Sequence, residues 1–257
     1  MTPTPVGVHA NQGLSWAFMA VAAVFFAVSL WWAWRERARG LGPVALFALL
    51  GGLIAALEEA WINVLIKLWY PPDAPLVVFT AMGHPQPLYI HLIYPGFVGL
   101  GSYGVYRGLL ARPDGHYLWP AFWAICGLDL AFELPATAGN VFGYYGPQPF
   151  QLFDDAWPFW PAFINAAGPL LGGWLIFRFA PLLHGPERAY LTLAPPVAYA
   201  AVYGAAGWPT YTLLNCDVPG VLRAAAAVLT AGLCLLMVRA LRLTLGVVDA
   251  TRVPVEV

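Results

Sequence analysis

Three carboxylic acids, Glu59, Asp129 and Glu133, sit inside stretches of chain that are otherwise apolar. Glu58 adjoins the first of them, and Asp217 lies in the polar break before the last apolar run. A carboxylate at bilayer depth costs roughly 2.5–3.5 kcal/mol on insertion scales, so it faces a cavity or a partner. Glu59 and Asn63 are four residues apart, as are Asp129 and Glu133. That spacing puts both members of each pair on one helical face. Close carboxyls in a low dielectric do not both ionise, so the group supplies a general acid beside a general base. Faces of Tyr, Trp and Phe stabilise a developing cation. Such a site suits proton-initiated cyclisation, dehydration or isomerisation of a lipophilic small molecule.

Metal chemistry is not expected. His84 and His91 do not have the spacing of a helical ligand pair, and no HxxxH or ExxH occurs. The cysteines Cys126, Cys216 and Cys234 are scattered, with no CxxC. No cofactor is called for. A retinal photoreceptor is disfavoured, because the only lysine is Lys67, far from the last apolar run.

The elements that must position these acids are membrane helices. The 257 residues are 60% hydrophobic and only 10% charged, with a mean hydropathy of +0.68. Soluble domains average about 25% charged residues. The net charge of −1 leaves no electrostatic footprint for nucleic acid. Apolar runs of about 18–20 residues read as spans. Seven are expected, near 13–34, 43–70, 87–110, 117–138, 158–182, 190–213 and 219–241. Of the 12 basic residues, all but Lys67 and Arg223 then fall on one side, which marks the cytoplasmic face. The expected fold is therefore an all-α, seven-transmembrane-helix bundle. It forms one polytopic domain with the N-terminus outside and the C-terminus cytoplasmic, in a bacterial cytoplasmic membrane. Oligomeric state is left open.

In that frame Glu59, Asp129 and Glu133 fall in the outer halves of their helices. Asn165 lies about 10 Å below the outer end of the fifth span. His91 and Tyr94 occupy the same layer. Two outer loops, 71–86 and 139–157, roof it and contain neither Lys nor Arg. The second loop offers Tyr145, Asp154 and Trp157, and Asp217 stands at the rim. Glu59 and Glu133 are the expected proton donor and acceptor, with Asp129 tuning Glu133. Asn63, His91, Tyr94, Tyr145, Trp157, Asn165, Asp154 and Asp217 are the expected substrate contacts. Lys67 is expected to snorkel to the outer interface.

The stretch from Leu57 to Trp174 resembles the integral-membrane spirocyclase-like family named after the spirocyclase of avermectin biosynthesis. Four pieces carry the resemblance: Glu59-Ala-Trp-Ile-Asn63; Gln86-Pro-Leu with Tyr94-Pro95-Gly96 and Ser102-Tyr103-Gly104; Asp129-Leu-Ala-Phe-Glu133 with Gly143-Tyr144-Tyr145-Gly146; and Trp157-Pro158 with Gly172-Gly173. Where that family carries an acid in the helix after Trp-Pro, this chain has Asn165. The resemblance implies a cyclase that closes a spiroketal from a dihydroxy-ketone. A membrane terpene cyclase or sterol-isomerase-like enzyme would use the same acids. A proton-coupled carrier or lipid-binding protein is the non-enzymatic alternative.

Overall fold

The computed structural model describes residues 4–38, 43–152 and 157–251. The longest apolar runs of the described chain are mainly helical. Helix α1 spans Gln12–Ala38. Helix α2 (Val44–Ala55) passes through a tight 3₁₀ turn, Ala56–Glu58, into α3 (Glu59–Ile66). Helix α4 (Leu88–Tyr94) widens into a π-helical stretch, Pro95–Leu100, and continues as α5 (Gly101–Ala111). Then come α6 (Leu118–Ala138), α7 (Pro161–Phe179), α8 (Ala194–Ala206), α9 (Trp208–Leu214) and α10 (Gly220–Thr251).

Among the described residues, five segments are long and apolar enough to cross a membrane: Gln12–Ala38, Val44–Ile66, Leu118–Ala138, Pro161–Phe179 and Gly220–Leu245. The other two expected spans are helical but broken. Pro95, Gly96 and Gly99 loosen the one from Leu88 to Ala111, and Gly207 with Pro209 divides the one from Ala194 to Leu214. Proline removes a backbone donor and crowds the preceding turn, which explains both breaks.

The loops 71–86 and 139–157 are not plain coil among the described residues, and their short strands depart from the all-α expectation. Strand β1 (Leu68–Trp69) pairs antiparallel with β4 (Gly143–Tyr144), Leu68 opposite Tyr144. Strands β2 (Val77–Ala81) and β3 (His84–Pro87) form a hairpin. Strands β5 (Gln151–Leu152) and β6 (Trp157–Pro158) form a third ribbon. Gln148 Nε2 donates to the Ile66 carbonyl at 2.8 Å, and the Tyr145 amide donates to the Lys67 carbonyl at 2.9 Å. The second loop is thereby stitched across the end of α3.

Helix α7 is the most enclosed of the five apolar segments. It packs against α5, α6, α8 and α10. Small residues permit this, as in other membrane bundles. A Cβ on Gly173 would lie 2.5 Å from the Ser102 carbonyl, and one on Gly168 would lie 2.5 Å from the Tyr199 ring. On the other side of the bundle, Gly52 of α2 meets the backbone of Tyr94, Pro95 and Gly99. The π-helical stretch is therefore pressed directly against α2, just after Tyr94.

Candidate active site

One cavity gathers the acids. Glu59, Asp129 and Glu133 all line it, together with Tyr70, Tyr94, Tyr144, Asn165, Tyr199 and Tyr203. Ile, Leu and Phe side chains complete the wall, and no basic side chain lines it among the described residues. Its volume is about 70 Å³. Ligand pockets run to about 300–1,000 Å³, so in this conformation there is room for a few waters or one small functional group.

Glu59 opens α3, directly after the 3₁₀ turn. Tyr70, just beyond β1, donates its hydroxyl to Glu59 Oε1 at 2.5 Å, and Tyr94 donates to Oε2. Both Glu59 oxygens are thus held by phenols. The π-helical stretch begins at the residue after Tyr94, and irregular helix turns of this kind concentrate at functional sites.

Asp129, Phe132 and Glu133 form one stripe of α6, as their spacing requires. Glu133 Oε2 accepts from Trp157 Nε1 at 2.6 Å and from the Tyr144 hydroxyl at 2.8 Å. Its Oε1 faces the Asn165 amide nitrogen at 3.3 Å. The same nitrogen donates to Asp129 Oδ1 at 3.0 Å. The Asn165 oxygen accepts from Tyr199 and Tyr203, each at 2.8 Å. Both donors and both acceptor sites of this amide are used, which fixes its orientation toward the two carboxyls. Asp129 Oδ2 is buried and has no hydrogen-bond partner. Among the three acids of the cavity it is the one carboxyl oxygen in that condition among the described residues.

Tyrosines join the two halves of the site. The rings of Tyr94 and Tyr199 are 5.6 Å apart and those of Tyr199 and Tyr203 are 5.1 Å apart. A run of phenols therefore leads from Glu59 to the Asn165 amide and its carboxyls.

The structure brings together Glu59, Asp129, Glu133, Tyr94 and Asn165, and adds Trp157 through its bond to Glu133. Other expected contacts lie elsewhere. Tyr145 is half-buried outside the cavity, and Tyr144 takes the place assigned to it, because pairing with Leu68 turns Tyr144 inward. His91 packs its ring on Phe79, with Nδ1 against the Pro87 carbonyl. Asn63 is fully buried but does not line the cavity, and its side-chain nitrogen and oxygen have no hydrogen-bond partner. Asp217 is exposed in the turn before α10. Asp154 lies outside the described residues. Lys67 does not snorkel. It ends α3 in the left-handed conformation (φ 55°), is 3% exposed, and donates from Nζ to the Leu214 carbonyl at 2.5 Å.

Sequence reasoning missed Tyr70 and Tyr199 and left Tyr203 without a role. Tyr199 and Tyr203 share the four-residue spacing of the acids, which was the available signal. It also missed a buried acid outside the cavity. Glu36 of α1 is 1% exposed and accepts from Tyr103 at 2.8 Å and from Arg107. That group holds its own cation and reads as a structural ion pair between α1 and α5.

No group of three or more His, Cys, Asp or Glu side chains suited to a metal ion occurs among the described residues. Comparison with protein-family models, with curated proteins and with solved structures found no match.

Proposed function

We propose that the chain is an intramembrane acid–base enzyme that cyclises or dehydrates a lipophilic hydroxy-ketone, in the manner of the spirocyclase-like family it resembles. The observation that carries this reading is the pairing of Asp129 and Glu133 on one Asn165 amide, with Asp129 Oδ2 unpartnered in the same cavity. Two carboxyls so placed hold one proton between them most cheaply. Glu133 receives hydrogen bonds from two groups that only donate, Trp157 N–H and the Asn165 amide, and from Tyr144. It is the ionised base, and Asp129 carries the proton on Oδ2. This moves the donor role from Glu59 to Asp129. Glu59, held by Tyr70 and Tyr94, orients substrate oxygen at the other end.

The proton count closes over two steps. In the first, a substrate hydroxyl attacks the ketone carbon, Glu133 takes the hydroxyl proton, and Asp129 protonates the carbonyl oxygen. One C–O bond forms and a hemiketal results. In the second, Glu133 protonates the hemiketal hydroxyl, which leaves as water. A second substrate hydroxyl closes on the same carbon and gives its proton to Asp129. One C–O bond breaks and one forms, one water is released, and both carboxyls return to their starting states. No oxidant or reductant enters. General acid–base groups of this kind contribute about 10²–10⁴-fold.

A second reading, a membrane terpene cyclase or sterol-isomerase-like enzyme, is favoured by the ring faces of Phe18, Phe97, Phe132 and Phe142 around the same acids. For either reading we infer seven crossings, with the N-terminus outside and the Arg-rich ends of the helices in the cytoplasm of a bacterial cell. The test is metabolite profiling of lipid extracts from cells expressing the wild type, Asp129→Asn or neither. Cyclodehydration predicts a compound that disappears with the wild type as another, lighter by one water, appears, and neither change with Asp129→Asn. An equal-mass pair selects the isomerase reading. Identical profiles in all three would overturn both.

A further inference from the structure

A site of about 70 Å³ does not enclose a lipophilic molecule, so the body of the substrate must lie elsewhere. An apolar groove of about 390 Å³ runs along the seam of α1 and α6, which is within the range of ligand pockets. On α1 it is lined by Leu14, Ala17, Phe18 and Val21, one helical stripe. On α6 it is lined by Ala131, Phe132, Pro135 and Ala136. Two of these residues, Phe18 and Phe132, also line the acid cavity. Their ring centroids stand 6.3 Å apart, edge to face. These two residues are therefore shared between the wall of the carboxyl cavity and the wall of the groove.

Two further apolar grooves provide a contrast. One lies between α7 and α8, with Leu175 and Val197, and another between α9 and α10, with Leu213 and Leu222. Neither shares a lining residue with the acid cavity. Of these three grooves, the α1–α6 groove is thus the one that adjoins the acid cavity, through Phe18 and Phe132. The seam also has a reason to yield. Pro135 lies inside α6, removes one backbone hydrogen bond there and weakens the helix beside Phe132. Buried residues are a minority of the apolar window in both α1 and α6, so both turn much of their surface outward.

We propose that the α1–α6 groove is the lateral entrance from the bilayer and holds the hydrocarbon chain of the substrate, with Phe18 and Phe132 as the door. The polar head passes between the two rings to the carboxyls, and the chain stays in the groove. The substrate class is an amphiphile whose ketone and two hydroxyls lie together at one end of a long apolar body. This rests on the acid–base reading for the meaning of the cavity, but its test needs no turnover.

The probe is a long-chain primary alcohol with a diazirine at mid-chain, photolysed with the protein in phosphatidylcholine nanodiscs and mapped by mass spectrometry. Label is expected at Leu14, Ala17, Val21 and Ala131 about fivefold above Leu175, Val197 and Leu222, the ratio given by a preference near 1 kcal/mol. Ala131→Trp fills the groove and removes the excess. Ala17→Trp does the same from the other wall and serves if the first variant does not fold. An analogue with the diazirine beside the hydroxyl labels Phe142 and Tyr144, more strongly in Phe132→Ala. Equal labelling of the three grooves, or an excess that survives both tryptophans, overturns the proposal. Groove labelling with a fully active Asp129→Asn would instead retire the acid–base reading and leave the entrance standing.

Discussion

Replacing Asn165 with alanine removes one amide that four buried groups depend on. Asp129 and Glu133 lose a donor, and the Tyr199 and Tyr203 hydroxyls lose their acceptor. A net hydrogen bond is worth about 0.5–1.5 kcal/mol, and interhelical polar contacts within membranes average about 0.6. Four such losses predict a destabilisation of about 2–6 kcal/mol, with little room for compensation because Asn165 is 6% exposed. The assay is denaturant titration of the purified protein in mixed micelles, following tryptophan emission. Tyr199→Phe and Tyr203→Phe each remove one of the four bonds, and each is expected to cost about a quarter of the total. An Asn165→Ala protein within about 0.5 kcal/mol of the wild type would refute the reasoning, since that is the size of an ordinary surface substitution. It would mean that the amide does not bridge the two carboxyls to the tyrosines.

Gly168→Ala places a methyl group 2.5 Å from the Tyr199 ring. Overpacking of this kind costs about 1–3 kcal/mol. It should also push Tyr199 off Asn165, so the same titration should show non-additivity with Tyr199→Phe. Near the N-terminus, the Ala10 amide donates to Asp73 Oδ1 at 2.9 Å, and His9 Nδ1 lies 3.2 Å from Oδ2. The Ala10 hydrogen bond, with help from His9, holds the Asp73 carboxyl below its ordinary range. A depressed acid contributes its attachment fully above the ordinary aspartate value and loses it as pH falls through the lowered one. Hydrogen exchange at Ala10 should therefore stay protected at pH 6 and become free in strong acid. Asp73→Asn should flatten that dependence.

Much of the bundle is legible in the chain because hydrophobic length is a direct physical requirement of the bilayer. Five of the expected spans coincide with helices long and apolar enough to cross a membrane among the described residues, although α10 runs to Thr251, ten residues past its expected end. The breaks at Pro95 and Gly207 were less visible, since proline and glycine are common in membrane helices and neighbours repair the lost hydrogen bonds. Period and depth were enough to group Glu59, Asp129 and Glu133, because helical spacing dictates which side chains share a face. They could not say which of two adjacent loop tyrosines turns inward. That depended on the pairing of Leu68 with Tyr144, a contact between residues far apart in sequence. The same limit applies to Asn63. It lies one turn on from Glu59, yet the cavity follows the stripe of Glu59, Ile62 and Ile66 along α3 and leaves Asn63 off its wall. Lys67 was misjudged because snorkelling assumes a free helix end, whereas here the loop from Gly143 to Gln148 covers that end.

The central claim is that Asp129 and Glu133 move protons for a reaction inside the bilayer. Its most direct test is the rate at which purified protein in nanodiscs converts the compound that accumulates in cells lacking it. The wild type is expected to convert it, with Asp129→Asn slower by about 10²-fold or more while the two proteins unfold alike. Equal rates for wild type and Asp129→Asn would contradict the account.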